Sequence, residues 1–155
     1  MKKKFYTIVA FVLLFLNVIS VNAAMFYEEP LNSEAVYVVD KSSGITIVEK
    51  NIHEKRSPAS LTKIMTFIIA FENCADAEQT KVIVKKEVLD LVDPESSGVK
   101  IKDREEITLQ NLFNCMLICS SGDAAMVIAD YIGGGSIENF VNKMNEKALQ
   151  LGCTD

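Results

Sequence analysis

The chain has 155 residues, of which 49% are hydrophobic and 24% charged, a composition typical of globular proteins and not of collagen-like or low-complexity chains. Three of its 16 basic residues stand at positions 2–4, so the chain after residue 23 keeps 13 (16 − 3) against 21 acidic ones, a net charge of −8. The net negative charge of the chain after residue 23 argues against nucleic-acid binding, which requires a basic face.

The first 23 residues have the three-part order of a secretory signal peptide. A basic start (2–4) is followed by an apolar run (8–16) and by the small-residue site Val21-Asn22-Ala23. The alternative is an uncleaved membrane anchor, but the apolar run is shorter than the ~20 residues that a span requires. We therefore predict cleavage before Ala24, one domain over residues 24–155, and an exported protein of the cell envelope.

The mature chain begins with a predicted β-hairpin over residues 35–50, whose two β-rich runs flank the turn Lys41-Ser42-Ser43-Gly44. A helix is predicted next, with Ser57 as its N-cap and Pro58 at its first position. Its segment 64–71 is apolar on nearly every side, which indicates a buried central helix. Residues 81–107 are predicted as short strands and loops.

Three further helices are predicted in the last third of the chain from their capping residues and apolar spacing. They cover residues 109–118, 124–132 and 137–151, with Thr108, Asp123 and Ser136 as N-caps. The chain therefore reads as a hairpin, a buried helix, an irregular stretch and three helices.

Four cysteines in an exported chain suggest disulfides, but their positions favour none. Cys115 and Cys119 share one helix face with nearly parallel Cβ directions, which is poor bridging geometry. A single histidine and the lack of a Cys-x-x-Cys pair argue against zinc. We expect the cysteines to be small buried apolar residues, and we expect no metal or cofactor.

Two Ser-x-x-Lys matches occur, Ser60–Lys63 and Ser97–Lys100, about the number that chance would give. Ser97 stands in a loop before an alternating segment, where side chains three apart face opposite ways. Ser60 stands at the start of the predicted buried helix, where a spacing of three places both side chains on one face.

A serine hydroxyl is a weak nucleophile that needs a base, and a desolvated lysine beside a helix N-terminus can serve as one. Free backbone N–H groups of the first turn could stabilise an oxyanion. From these residues alone, an ordinary helix start with Lys63 directed to solvent stays an open alternative. A Ser-His-Asp triad is disfavoured, because the one histidine, His53, lies in a polar loop and no Gly-x-Ser-x-Gly turn is present.

The segment Pro58-Ala59-Ser60-Leu61-Thr62-Lys63-Ile64-Met65-Thr66 resembles the active-site segment of the serine-type D-alanyl-D-alanine carboxypeptidases, the low-molecular-mass penicillin-binding proteins. The resemblance extends to the hairpin upstream and to residues 116–125, and it covers about 34–155. It implies an α/β fold of the β-lactamase/DD-peptidase type, of which this chain is the N-terminal portion.

The resemblance also implies roles for individual residues. Ser60 would be the acylated nucleophile, Lys63 its general base, and Ser120 the serine of a second motif, Ser-x-Asn, that passes a proton to the leaving amine. Gly122 then stands where the family has Asn, which is a departure. In the alternative register the second motif starts at Ser121. That register would place the polar residue Asp123 at the third position of the motif but would shift the helix start by one residue.

The family's third motif, Lys-Thr-Gly, is absent from this sequence, so the chain is expected to be truncated, with any membrane-attaching C-terminal region outside it, and its own activity stays open. The implied reaction removes the terminal D-Ala from peptidoglycan stem pentapeptides through an acyl-serine, with β-lactams as inhibitors. Alternatives are a serine β-lactamase, for which no deacylating glutamate can be assigned, a non-catalytic penicillin- or cell-wall-binding protein, and a sporulation or division protein that retains only the fold.

Overall fold

The computed structural model describes residues 31–153, which divide after Lys55 into two compact units. The signal-peptide prediction for residues 1–23 lies outside the described residues. The elements, in chain order, are β1 (Val36–Val39), β2 (Thr46–Lys50), α1 (Thr62–Glu72), β3 (Lys81–Ile83), α2 (Lys86–Leu89), β4 (Glu106–Thr108), α3 (Leu109–Ile118), α4 (Gly122–Ile132) and α5 (Ile137–Gln150). No helix within this described range is long and apolar enough to cross a lipid bilayer.

The first unit contains the predicted hairpin, in which β1 and β2 pair antiparallel. Asp40 organises the turn, because its carboxylate accepts hydrogen bonds from the Ser43 hydroxyl and backbone N–H and from the Ser42 hydroxyl. These bonds lower the pKa of Asp40 to about 2. Gly44 closes the turn at φ +72°, a conformation that glycine adopts without a steric cost. His53, also in this unit, is exposed, as expected.

The helix predicted from Ser57 and Pro58 begins later than the sequence indicates. Residues Ala59–Leu61 form a single 3₁₀ turn, and α1 starts only at Thr62. The cause is Ala59, whose φ of +46° cannot continue an α-helix. The helix is also less buried than its composition suggests: three of its residues are buried, whereas Ile64 and Phe71 are 54% and 63% exposed.

The core of the second unit lies where α1, α3 and α4 meet. Phe113 is fully buried on α3, and its ring meets that of Phe67 edge to face with centroids 5.1 Å apart. Edge-to-face aromatic pairs of this kind contribute beyond the area they bury. A smaller cluster brings Phe140 of α5 against Ile69 and Ala129. This packing fixes α1 relative to the turn between α3 and α4.

Between these helices the chain forms the short strands that the sequence predicts, since β3 and β4 pair antiparallel. The prediction of strands and loops alone is wrong at Lys86–Leu89, where the short helix α2 lies between the two strands along the chain. Residues 97–102, however, are not an alternating strand, because Lys100 adopts φ +60° and breaks the extended backbone. An ion pair ties this region to α4: Lys85 Nζ lies 2.7 Å from a carboxylate oxygen of Asp130.

Of the four predicted N-caps, two are confirmed and two are wrong. Ser57 caps no helix, because Pro58 precedes the 3₁₀ turn and Leu61 precedes α1, neither with a side-chain cap hydrogen bond. The Thr108 and Ser136 hydroxyls accept the N–H of the third residue of α3 and of α5, as capping requires. Helix α4 instead starts at Gly122 with Ser121 as its N-cap, two residues before the predicted start. Asp123 is not available to cap from outside, because it is already the second residue of the helix.

The cysteines are free thiols and are less buried than predicted. Cys74 and Cys115 are partly buried, whereas Cys119 and Cys153 are exposed. Cys119 follows the end of α3, and Cys153 follows the end of α5. Burial raises the pKa of the Cys115 thiol, which makes that side chain the less reactive kind of cysteine.

Candidate active site

Three polar side chains converge at the start of α1. The Lys63 Nζ donates a hydrogen bond to the Ser60 Oγ at 3.2 Å, and the Ser120 hydroxyl donates to the same oxygen at 2.9 Å. Ser120 is 60 residues further along the chain than Ser60, so tertiary packing alone brings the two together. All three residues singled out by the sequence therefore meet at one oxygen atom.

The local backbone explains how Ser60 is presented. Its 3₁₀ turn stands outside α1, so its side chain is exposed while Lys63, one turn on, is half-buried. The Leu61 N–H bonds the Pro58 carbonyl and the Thr62 N–H bonds the carbonyls of the turn. Within the described residues the Ser60 N–H has no acceptor, so it is available to an oxygen bound at Ser60.

The direction of the Ser120 side chain is set by the backbone of Ser120 itself, which is a second residue, after Ala59, in the left-handed region. Helix α3 ends at Ile118, and the N–H groups of Cys119 and Ser121 both bond the Cys115 carbonyl. Between them Ser120 adopts φ +54°, a conformation that costs a non-glycine residue about 1–2 kcal/mol. Strained backbone of this kind clusters at functional sites.

Ser121 has a different environment from its neighbour. It is fully buried, donates a hydrogen bond to the Asp123 carboxylate, and accepts the Ala124 N–H at 3.4 Å as the N-cap of α4. Its hydroxyl is thus already used in hydrogen bonds at the start of α4. Of the two registers left open by the sequence, the one beginning at Ser120 places a hydroxyl on Ser60.

Asp123 is a buried carboxylate that the sequence predicts only as a helix cap. It accepts the Ala124 N–H at 2.9 Å and the Ile101 N–H at 3.0 Å. Burial by itself would raise the pKa of this carboxyl, but the hydrogen bond from Ser121 and those from the backbone outweigh it and keep the pKa below its ordinary value. The signal in the sequence was weak, because the Ile101 contact joins residues 22 positions apart.

The second Ser-x-x-Lys match does not form a comparable pair. Ser97 and Lys100 are both exposed, and no hydrogen bond joins their side chains within residues 31–153. Over the same residues, no three His, Cys, Asp or Glu side chains cluster as a metal site requires. The arrangement at Ser60 suits nucleophilic chemistry: a hydroxyl, an amine in hydrogen-bond reach of it, and a second hydroxyl that can carry a proton.

Comparison with known proteins bears on this arrangement. A family model described as D-alanyl-D-alanine carboxypeptidase matches residues 22–155. The chain belongs to the D-alanyl-D-alanine carboxypeptidase family. A curated family member, DacF of Bacillus subtilis, is 31% identical over 123 residues, which cover 77% of this chain and 31% of the relative. Another, DacC of Escherichia coli, is 33% identical over 132 residues, which cover 81% of this chain and 32% of that protein.

A solved structure supports the fold. The D-alanyl-D-alanine carboxypeptidase DacD of Francisella tularensis superimposes with a TM-score of 0.69 at 31% identity, over 80% of this chain and 30% of that one. The predicted DD-peptidase-like α/β fold is thereby confirmed for the part that is described. The chain spans about a third of the length of these carboxypeptidases.

Proposed function

We propose that the protein containing this chain is an exported serine-type D-alanyl-D-alanine carboxypeptidase. It removes the terminal D-Ala from peptidoglycan stem pentapeptides during cell-wall biosynthesis, and β-lactams inhibit it. The observation that carries the proposal is the meeting of the Lys63 amine and the Ser120 hydroxyl on the Ser60 oxygen, at 3.2 and 2.9 Å. Membership of the carboxypeptidase family supplies the substrate class.

In the proposed reaction the Ser60 Oγ attacks the carbonyl carbon of the bond between the two D-Ala residues. Its proton passes to Lys63, which must enter the step with an unprotonated amine to act as the base. The oxyanion that forms accepts a hydrogen bond from the free N–H of Ser60.

Collapse of this intermediate breaks the peptide bond. The leaving amine takes a proton from Lys63 through the Ser120 hydroxyl, and an ester on Ser60 remains. Water then attacks the ester, loses a proton to the same relay, and releases the shortened peptide while Ser60 regains its hydroxyl. Lys63 thus serves first as a base and then as an acid.

Acylation by a fluorescent penicillin tests the proposal, using the protein in the longest form that its gene encodes. The label is expected on the peptide containing Ser60, and Ser60→Ala should abolish it. Lys63→Ala should slow acylation by about 10²–10⁴-fold, the usual effect of removing a general base. The matched controls are Ser97→Ala and Lys100→Ala, which remove the other Ser-x-x-Lys pair and should leave acylation unchanged.

A label mapped by mass spectrometry to any peptide without Ser60 would refute the nucleophile. Release of free D-Ala from a D-Ala-D-Ala pentapeptide separates a carboxypeptidase from a penicillin-binding protein without catalysis, since the second would be acylated but would release no D-Ala. Rapid hydrolysis of the penicillin adduct would instead indicate a β-lactamase.

The two neighbouring serines of the second motif give a further test of the proposed roles. Ser120→Ala should impair D-Ala release with little change in the free energy of unfolding, because within residues 31–153 its hydroxyl bonds only Ser60. Ser121→Ala should show the reverse, a loss of about 1 kcal/mol of stability, because it removes an N-cap. Equal effects of the two variants on D-Ala release would refute the assignment of the proton relay to Ser120.

A further inference from the structure

The turn that carries Ser120 is held by hydrogen bonds on both sides. On the side of α3, the Cys115 carbonyl accepts the N–H groups of the two residues that flank Ser120, each at 3.2 Å. On the side of α4, the N–H of its first residue, Gly122, donates to the Ser97 carbonyl at 2.6 Å. The turn is therefore attached to the preceding helix and also to the loop of residues 96–101.

Asp123, a buried carboxylate that no step of the proposed reaction uses, makes a second connection between this loop and α4. It is only 7% exposed, and one of its oxygens accepts the Ile101 N–H at 3.0 Å. Hydrogen bonds to an ionised carboxylate are stronger than those between neutral groups. Ile101 is itself buried in the main core, so this bond joins the first turn of α4 to a fixed point.

The backbone of Ser120 depends on such support because it is strained. Its φ of +54° lies in the left-handed region, and a residue with a side chain prefers negative φ by about tenfold or more when nothing holds it. A change to negative φ would turn its hydroxyl away from Ser60, to which it now donates at 2.9 Å. A connection that fixes the chain at position 123, three residues on, opposes this change.

We propose that Asp123 is a positioning residue of the proton relay. By joining the first turn of α4 to Ile101, it keeps Ser120 in the left-handed conformation that places its hydroxyl on Ser60. Within residues 31–153 the hydrogen bonds of Asp123 reach none of the three reacting side chains, so it acts through the backbone of the turn. The proposal rests on the proposed function, because it assumes that Ser120 relays a proton.

The rate of acylation by a fluorescent penicillin tests the proposal, in the protein in its longest encoded form and at a temperature where every variant is folded. Asp123→Ala should slow acylation about tenfold. In a Ser120→Ala background the same substitution should change the residual rate by less than about twofold, because the hydroxyl that Asp123 positions is already absent. Equal factors in the two backgrounds would indicate a general loosening of the site and would overturn the role of Asp123.

Two further substitutions separate the bond to Ile101 from the stability of α4. Asp123→Asn can direct its amide oxygen to the Ile101 N–H and its amide N–H to the Ser121 hydroxyl, which accepts as well as donates, so its acylation rate should be nearly normal. Asp123→Ser is one bond shorter and loses Ile101, but its hydroxyl can still accept the Ala124 N–H, so it is the variant to use if Asp123→Ala does not fold. Slow acylation of the Asp123→Asn protein, or normal acylation of the Asp123→Ser protein, would refute the proposal.

Release of D-Ala from a D-Ala-D-Ala pentapeptide gives a second measurement. Asp123→Ala should lower kcat about tenfold and leave KM nearly unchanged, because the relay acts after the peptide has bound. Ser136→Ala is the matched control: it removes the N-cap of α5 and so also lowers the unfolding midpoint, but it should leave kcat unchanged. A similar loss of kcat in both variants, or a raised KM at normal kcat in the Asp123→Ala protein, would count against a positioning role.

The two proposals fail in different ways. A protein that is acylated at Ser60 and releases D-Ala, but whose rates do not respond to Asp123→Ala or Asp123→Ser, would overturn the role of Asp123 and leave the proposed function intact. An unchanged protein that neither becomes acylated at Ser60 nor releases D-Ala would refute the proposed function, and with it the positioning role.

Discussion

Asp123 is the residue whose loss should damage the site most without touching the reacting atoms. Its buried carboxylate accepts three hydrogen bonds, from the Ser121 hydroxyl and from the N–H groups of Ile101 and Ala124. Asp123→Ala leaves the Ser121 hydroxyl and the Ile101 N–H without their acceptor and the Ala124 N–H with only its 3.4 Å bond to Ser121, and each of these three losses costs about 1 kcal/mol. We therefore expect the variant to lose about 3 kcal/mol of its free energy of unfolding.

Urea unfolding of the protein in its longest encoded form measures this loss through the shift of the midpoint at constant slope. Asp103→Ala is the matched control, because it removes a partly exposed aspartate from the same loop region and should cost less than about 0.5 kcal/mol. A loss below about 1 kcal/mol for Asp123→Ala would show that the loop 96–101 is held by other contacts, and the reasoning would be wrong.

The same carboxylate predicts a pH dependence. Its pKa is lowered in the folded protein from the ordinary value of 3.8, so the folded state holds the ionised form more strongly than the unfolded state does. The stabilisation is therefore complete above the ordinary value and is lost as the pH falls through the lower folded pKa. Asp123→Asn should remove this part of the acid destabilisation, and an unfolding midpoint whose fall below pH 4 is the same in both proteins would contradict it.

Three further predictions concern the ion pair, the core and the N-terminus. Lys85→Ala should cost about 1 kcal/mol, because it leaves a carboxylate that is only 12% exposed without its cation. Lys86→Ala removes a solvent-exposed pair and should cost less; urea midpoints that do not differ would refute this. Phe113→Ala should cost about 4 kcal/mol and Phe71→Ala less than about 1 kcal/mol, since the first side chain is 2% and the second 63% exposed; similar losses would place the core elsewhere. N-terminal sequencing of the exported protein should begin at Ala24, and an intact start methionine would reject cleavage.

The features that the sequence predicts well are those that depend on neighbouring residues. Thr108 and Ser136 cap their helices because a hydroxyl needs only the N–H three residues on, and the hairpin turn depends on four consecutive residues. The pairing of Ser60 with Lys63 likewise follows from a spacing of three at the entry to a helix. Contacts of this kind can be predicted from the sequence, because they join residues only a few positions apart.

The features that the sequence does not predict depend on distant contacts. Asp123 lies inside α4 and accepts the Ile101 N–H from 22 positions earlier in the chain, while Ser121 is the N-cap. The close approach of Gly122 to the Ser96 side chain, where a Cβ on residue 122 would lie 2.5 Å from the Ser96 Oγ, joins residues 26 positions apart, and neither residue type predicts it. The contact between Ser120 and Ser60 could be expected only from the family resemblance, because two serines in a polar turn have no sequence pattern that indicates a partner 60 residues away.

Ala59 has a consequence for any attempt to make this protein more robust. It holds φ +46° directly before the nucleophile, at a cost of about 1–2 kcal/mol that a glycine would avoid. Ala59→Gly is thus an obvious thermostabilising substitution, yet glycine would also admit other backbone directions for Ser60. Alanine at this position restricts the backbone before Ser60 to a strained but narrow range of conformations, which keeps the nucleophile in one orientation. Thermal stability and reactivity therefore favour different residues at position 59.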